Sequence, residues 1–171
     1  QTASAQTGVN GTRQGGIIEF NGGNQTRLTT SGTFSATGKV GGTVHLFGQD
    51  LRLLATQIDA SGKRGGGVVL VGGDYQGNTQ GATNAQTTLI NPATTLKADA
   101  LTSGNGGQVI VWSEQKTDFY GNITAKAGAV AGDGGLIEVS SKNQLFFGGM
   151  ADASASNGKA GQLLLDPKNI T

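Results

Sequence analysis

The sequence predicts an all-β fold, a parallel β-helix (β-solenoid) of about five to six coils with three short strands in each coil. Three observations support this prediction. A glycine-led phrase returns with a period of about 26 residues, apolar side chains alternate after each of these glycines, and the 171 residues include 31 glycines and only 5% aromatic residues. Because glycine costs about 1 kcal/mol at an interior helical position, this composition argues against a helical bundle.

The first strand of each coil follows a glycine. The anchor glycines are Gly16, Gly42, Gly67, Gly107, Gly135 and Gly161. Two residues later lie Ile18, Val44, Val69, Val109, Ile137 and Leu163, and four residues later lie Phe20, Leu46, Val71, Val111, Val139 and Leu165. The residue between them varies, as Glu19, His45, Leu70, Ile110, Glu138 and Leu164. This alternation indicates a strand with one buried face, so the two apolar series should point into the solenoid.

Two further strands complete the coil. A less regular apolar segment comes next, with Leu51, Leu53, Phe119, Leu145 and Phe147 as its apolar positions. Near the end of the coil a three-residue segment has apolar outer positions and a usually polar middle, at residues 34–36, 58–60, 96–98, 123–125 and 151–153. Glycine, Asn-Gly and Asp-Gly turns separate the segments, which fits three short strands in each repeat.

Glycine pairs and one long repeat complete the predicted architecture. Pairs such as Gly106-Gly107 and Gly134-Gly135 should lie at a corner, where the chain turns sharply and coils stacked about 4.8 Å apart pack closely. The unit from Gly67 to Gly107 has 40 residues, and its surplus fits the polar stretch Gly73 to Thr88. We expect this insertion to form a loop leaving the solenoid or a hairpin folded against it. The chain, 1–171, is predicted to be a single β-solenoid domain.

Charge and composition narrow the class of partner. The net charge is +1, from 12 basic and 11 acidic residues spread thinly along the chain, so we expect no binding of nucleic acid or of an anionic membrane. No apolar run approaches the roughly 18 residues of a spanning helix, so membrane insertion is not expected. There is no cysteine for a disulfide or a thiolate site. The start at Gln1 suggests a mature product or an excised fragment whose targeting segment is missing.

Two stretches carry a family resemblance. GGQVIVWSEQKTDFYGNITAKAG and GGLIEVSSKNQLFFGGMADASASNGKAGQLLLDPKNIT resemble the repeat region of large secreted exoproteins of the filamentous haemagglutinin type, which use two-partner secretion. The most specific part runs from Gly161 to Ile170, and residues before the last 70 or so match by period and glycine placement. The resemblance implies a right-handed β-helix, an extracellular or cell-surface location, an outer-membrane secretion partner, and an adhesive or matrix role of the kind found in biofilms.

Two acidic residues raise an enzymatic alternative. Counted from the anchor glycines, Asp74 and Glu114 fall at the same offset of successive coils, with Lys142 following. Carboxylates on adjacent coils could stand about 5 Å apart, a separation used in retaining glycoside hydrolysis. The alternative is therefore a carbohydrate-active β-helix enzyme, a polysaccharide lyase or hydrolase. The preferred interpretation places both acids at solvent-facing turns and assigns no catalytic residue.

Metal and cofactor sites are not expected. His45 is the only histidine, and it should pair with Glu19 across neighbouring strands. Without a second histidine or a cysteine, no metal site is complete. Asp133-Gly134-Gly135 lacks the calcium-binding nonapeptide pattern and is predicted to be a turn.

Aromatic residues and sequons are the candidate contact sites. Trp112 and Phe47 share with Asn21 an offset that should face outward, where exposed rings could stack on sugars or pack against a neighbouring solenoid. The alternatives are ordinary surface aromatics or aromatics covered by the insertion. Tyr75 of the insertion is a third candidate contact. Candidate glycosylation sites are the sequon asparagines Asn10, Asn24, Asn122 and Asn169.

The sequence thus favours a structural and adhesive function over catalysis. Stacked coils expose sheet edges at the two ends of the solenoid, and end-to-end self-association of copies into a filament would bury them. We expect a secreted, non-enzymatic solenoid that contacts glycans or matrix of a host or neighbouring cell.

Overall fold

The computed structural model of the chain describes residues 2–3 and 6–170. It is an all-β solenoid of about 6 turns with a period of about 27 residues, which confirms the predicted fold class. The strands are β1 (Thr2–Ala3), β2 (Gln6–Gly8), β3 (Ile17–Asn21), β4 (Arg27–Thr30), β5 (Thr33–Ser35), β6 (Thr43–Phe47), β7 (Asp50–Leu53), β8 (Gln57–Asp59), β9 (Val68–Val71), β10 (Thr87–Ile90), β11 (Thr95–Lys97), β12 (Gln108–Val111), β13 (Lys116–Phe119), β14 (Asn122–Thr124), β15 (Leu136–Val139), β16 (Ser141–Phe147), β17 (Met150–Asp152), β18 (Gln162–Leu164) and β19 (Pro167–Ile170). Two short 3₁₀ turns occupy Gly23–Gln25 and Tyr75–Gly77.

Three parallel sheets form the walls of the solenoid. The first sheet has the order β18-β15-β12-β9-β6-β3, the second β1-β4-β7-β10-β13-β16-β19, and the third β17-β14-β11-β8-β5-β2. Each complete coil therefore contributes one strand to each sheet. We number the coils from the one that begins with β3, so that β9 to β11 belong to the third coil and β15 to β17 to the fifth.

A continuous apolar column fills the interior behind the first sheet. The pairing register stacks Val44 on Val69, Val69 on Val109 and Val109 on Ile137. All four side chains are fully buried, so the predicted stacking of equivalent aliphatic residues is confirmed. A single coil cannot bury its apolar face fully without the coils beside it, which is why the repeated sequence is needed for stability.

The other two sheets complete the same core. The second sheet buries residues that include Leu51, Leu53 and Phe119, and the third buries the central residues Phe34, Ile58, Leu96 and Ile123. The Phe119 and Phe147 rings stack with centroids 5.3 Å apart. The two additional strands predicted for each coil are therefore confirmed.

Glycine pairs lie at the corner before five of the six strands of the first sheet, where coils approach closely, and Ala160-Gly161 precedes the sixth, β18. A Cβ atom at Gly106 would lie 2.0 Å from the carbonyl oxygen of Ala125 and 2.6 Å from the backbone nitrogen of Gly135. The glycines with positive φ are elsewhere, in other turns such as those at Gly104 and Gly132. The pairs are therefore needed for space between coils and not for a left-handed backbone.

One predicted boundary is wrong. The insertion does not extend to Thr88, because Thr87 and Thr88 belong to β10 and pair with β7 and β13. We call residues 73–86 the inserted loop. It contains a 3₁₀ turn and no strand, so it is a loop and not a hairpin. The last coil continues past Pro167, because β19 starts there and pairs with β16.

Candidate functional site

The outer face of the first sheet carries an apolar surface. The sheet register aligns the outward side chains of His45, Leu70, Ile110 and Glu138 on successive strands. Phe47, Leu70, Ile110 and Trp112 form a cluster separate from the interior core, with exposed fractions of 4%, 5%, 0% and 7%. Since outward side chains of a solenoid normally meet water, something must cover this cluster, and the inserted loop does so.

The loop is shaped by its own polar side chains. The Asp74 carboxylate accepts a hydrogen bond of 2.6 Å from the Tyr75 amide, and the Thr79 hydroxyl accepts one of 2.8 Å from the Asp74 amide. The Thr79 hydroxyl in turn donates to Asn84 Oδ1 at 2.5 Å. Short polar side chains of this kind favour turns because they bond to nearby backbone groups.

Trp112 lies directly beneath the loop. A Cβ atom at Gly77 would lie 2.7 Å from Trp112 Cε2, and one at Gly73 would lie 2.7 Å from Trp112 Cδ1. Both positions therefore need glycine for the loop to rest on the indole ring. The indole N–H is buried and has no hydrogen-bond partner within the described part of the chain.

The predicted line of exposed aromatic residues is therefore wrong for Trp112 and Phe47. Their side chains do face outward, but the inserted loop excludes solvent from them, as the alternative of a covering insertion foresaw. Asn21 is exposed at the same offset, and Tyr75 is 39% exposed on the loop itself. Tyr75 is the one candidate aromatic contact that remains accessible.

Glu138 holds the loop on the fifth coil. The Gln76 amide donates to Glu138 Oε2 at 3.0 Å and approaches Oε1 at 3.3 Å. Gln76 has a φ of 51°, a left-handed conformation that costs a non-glycine residue free energy and that this contact helps to hold. Burial raises the pKa of Glu138, and the hydrogen bond from Gln76 offsets part of that effect.

Further contacts attach the loop to the fourth coil. The Asn84 side-chain amide donates to Glu114 Oε1 at 2.9 Å and to the Gly77 carbonyl at 2.8 Å. Glu114 also forms an ion pair of 3.4 Å with Lys142. A cleft of about 450 Å³ opens beside this contact, lined by residues that include Gln86 and Gln115.

A contact at the other end of the loop reaches the first coil. The Thr83 hydroxyl donates to Asn24 Oδ1 across the second coil. The loop leaves the third coil after β9, so it joins the first coil at Asn24 to the fifth at Glu138. At about 4.8 Å per coil, it spans roughly 19 Å of the outer face.

The predicted alignment of the two carboxylates on successive coils is wrong. The Glu114 amide donates to the Ala85 carbonyl at 2.7 Å, so the residue beside Glu114 on the preceding coil is Ala85 and not Asp74. Asp74 lies at the start of the inserted loop, where it caps the 3₁₀ turn. The equal offset from the anchor glycines failed because the inserted residues start immediately after Gly72.

The predicted pair of His45 and Glu19 is confirmed. His45 Nδ1 lies 3.7 Å from Glu19 Oε2, and their strands pair in register. Burial lowers the pKa of His45, while the nearby Glu19 carboxylate partly offsets this effect. Within residues 2–3 and 6–170, no group of three or more acidic, histidine or cysteine side chains could hold a metal ion.

The sequon asparagines have different surroundings. Asn10 Oδ1 accepts hydrogen bonds from the Ser35 and Thr37 hydroxyls of the next coil, at 2.7 and 2.9 Å. Asn122 and Asn169 are exposed, and Asn24 contacts the inserted loop. Thr171, which completes the sequon of Asn169, lies outside the described residues. Glycosylation stays a prediction at all four asparagines.

Asp133 connects coils at a turn, as predicted. Its Oδ1 accepts a hydrogen bond of 2.8 Å from the Lys159 amide, and its own amide donates to Asn105 Oδ1 at 2.9 Å. The side chains of Asn105 and Asp133 thus extend the backbone ladder across three coils.

Comparison with known proteins adds no family assignment. A scan of protein-family models finds no match to this chain, and a search of curated proteins finds no match either. Among the described residues, no helix has the length and apolar character needed to cross a membrane.

Proposed function

We propose that this chain is a structural and adhesive β-solenoid of an extracellular or cell-surface protein, without catalytic activity. The observation that carries the proposal is the continuity of the stack. All three sheets run continuously through the coils, so the chain forms a stiff spacer whose outer surface is available for contacts. The resemblance of the GGQVIVWSE and GGLIEVSS repeats to filamentous haemagglutinin-type exoproteins supports secretion with an outer-membrane partner.

End-to-end association is the second part of the proposal. The strands of each coil pair with those of the next in parallel ladders, and a coil of another copy could add to a sheet by the same hydrogen bonds. Open head-to-tail contacts of this kind propagate into filaments. We expect electron microscopy of purified material to show elongated particles or filaments. Compact, strictly monomeric particles at high protein concentration would contradict self-association but not the fold.

Adhesion itself is tested with coated beads. Beads carrying the purified chain should bind to surfaces displaying glycans or extracellular matrix more than beads carrying the heat-unfolded chain at equal density. Equal binding by the folded and unfolded chains would contradict an adhesive role, because the presented surface exists only in the solenoid.

The cleft beside Glu114 supports a second candidate function, that of a carbohydrate-active enzyme, which can be tested directly. Glu114 is half-buried and accepts a hydrogen bond from Asn84, so it is a fixed carboxylate at a polar cleft of sugar-binding size. If the chain is a polysaccharide lyase or hydrolase, the purified protein should release new chain ends from an acidic or neutral glycan, and Glu114→Gln should abolish that release. Absence of release across a broad glycan panel would remove this alternative.

A further inference from the structure

One corner of the solenoid gathers four positive charges that are dispersed in the sequence. This basic corner consists of Arg13, Lys39, Lys63 and Arg64, in the turns that lead from the third sheet to the first in three successive coils. The Val40 amide donates to the Arg13 carbonyl at 2.9 Å, and the Arg64 amide donates to the Lys39 carbonyl at 2.7 Å. The backbone ladder therefore stacks these residues at the coil spacing of about 4.8 Å.

The charges of the basic corner are not neutralised locally. All four side chains are exposed, and none of them forms an ion pair with another described residue. Asp59, in β8, and Asp99, in the turn after β11, form no ion pair with these cations and accept hydrogen bonds from other groups. Asp59 Oδ1 accepts the Ser61 amide at 2.9 Å, and Asp99 accepts the Thr124 hydroxyl and the Lys126 amide at 2.9 and 2.7 Å. The corner thus presents a local positive potential on a chain that is almost neutral overall.

A groove runs along the basic corner. It has a volume of about 420 Å³, and its lining includes Lys39, Lys63, Thr12, Thr37 and the exposed side chain of Leu101. Ammonium groups and hydroxyls beside an apolar side chain match a charged sugar, which has polar edges and an apolar ring face. One sugar residue of an extended polysaccharide is about as long as one coil is high, so successive sugars can meet successive coils.

We propose that the basic corner binds an acidic polysaccharide, with the carboxylate or sulfate groups of neighbouring sugars set against the cations of neighbouring coils. The inference deepens the proposed surface function by naming the class of polymer, and it rests on that function for the setting in which the polymer is met. The cations supply attraction, and the groove supplies the contacts that select a glycan.

The test uses the purified chain and fluorescein-labelled alginate oligomers, a polyuronate, in a fluorescence-anisotropy titration at low salt. The corner variant carries Arg13→Gln, Lys39→Gln, Lys63→Gln and Arg64→Gln. The matched control carries Lys97→Gln, Lys116→Gln, Lys142→Gln and Lys168→Gln, which removes the same number of charges from other places. Circular dichroism and the melting temperature establish that both variants keep the fold.

We expect the corner variant to weaken alginate binding about tenfold or more and the control to weaken it less than about threefold. Raising the salt concentration from about 0.05 to 0.5 M should weaken the unmodified chain more than the corner variant, since screening acts on the same charges. Equal losses in the two variants, or alginate binding no tighter than binding of neutral dextran, would overturn the proposal. Tighter binding of a DNA duplex than of alginate, lost in the corner variant, would assign the corner to nucleic acid instead.

This outcome is separable from the proposed function. If the beads still adhere to surfaces but the chain does not bind alginate in solution, the basic corner is refuted and the adhesive role stands. If the chain binds alginate through the corner but the beads do not adhere, the adhesive role is refuted and the basic corner stands.

Discussion

Gly65 and Gly66 are adjacent, but we expect their substitution by alanine to have different effects on the stability of the protein. A Cβ atom at Gly66 would lie 1.9 Å from the carbonyl oxygen of Ala98, so the two coils would have to separate by about 1 Å. The same carbonyl accepts a hydrogen bond of 2.7 Å from the Gly107 amide, and the Cβ atom would also lie 2.3 Å from that amide nitrogen, so it would disrupt the bond. At Gly65 a Cβ atom would meet only the Val40 side chain, at an ordinary contact distance of 3.8 Å.

The expected free energies of unfolding follow from these contacts. Overpacking costs about 1–3 kcal/mol, and an unmade buried hydrogen bond costs about 1–3 kcal/mol. Alanine also lowers the conformational entropy of the unfolded chain, which stabilises the folded state of either variant by about 0.4–1 kcal/mol. Gly66→Ala should therefore destabilise the protein by about 1–6 kcal/mol, and Gly65→Ala should leave it unchanged or up to about 1 kcal/mol more stable.

The assay is equilibrium unfolding in guanidinium chloride, followed by circular dichroism for the two variants and the unmodified chain. Gly66→Ala should lower the midpoint clearly, with Gly65→Ala as its matched control. Equal midpoints for the two variants would refute the claim that paired glycines are required by the close approach of coils. The same distance, 1.9–2.0 Å to a carbonyl oxygen, recurs at Gly41, Gly106 and Gly134, so alanine there should have a similar effect.

Three further predictions concern the outer face of the first sheet. Burial raises the pKa of Glu138, so the native protein holds this proton more tightly than the unfolded chain, and stability falls as pH rises from the unfolded pKa through the native one. In Glu138→Gln this pH-dependent loss of stability should be absent, as measured by urea unfolding at a series of pH values. Parallel plots of stability against pH for the variant and the unmodified chain would contradict this expectation. Glu19→Gln should lower the pKa of His45 further in an NMR titration, because the carboxylate now partly offsets the effect of burial; an unchanged pKa would contradict the pairing. Replacing residues 73–86 by a short turn should shift the fluorescence of Trp112, the only tryptophan, to longer wavelength and increase its quenching by iodide, whereas unchanged emission would show that the loop is not its cover.

The sequence predicts the interior well because the interior obeys a local rule. Alternating residues such as Val69 and Val71 point the same way in any strand, and the period brings equivalent residues together. The rule also gives the outward direction of Phe47 and Trp112 correctly. It cannot give their burial, because the loop that covers them comes from a different coil and its path depends on tertiary contacts.

The polar features were harder to predict for a related reason. An equal offset from the anchor glycine places two residues on neighbouring positions only if no residues are inserted between the anchor and the residue. The insertion starts just before Asp74, so Asp74 is not aligned with Glu114. The basic corner was missed because its members lie in separate repeats and look dispersed along the chain. Only the stacking of coils shows that Arg13, Lys39 and Arg64 are neighbours.

The inserted loop also changes how the coils depend on one another. In a simple solenoid each coil contacts only the coils beside it, so unfolding can begin at one place and spread. Here Asn24 of the first coil and Glu138 of the fifth are held by the same loop, so separating the coils between them also requires that these contacts be released. The loop therefore couples coils that are not neighbours, and the apolar cluster beneath it adds buried area to that coupling. The inserted loop thus covers Phe47 and Trp112 and at the same time stabilises the middle of the solenoid.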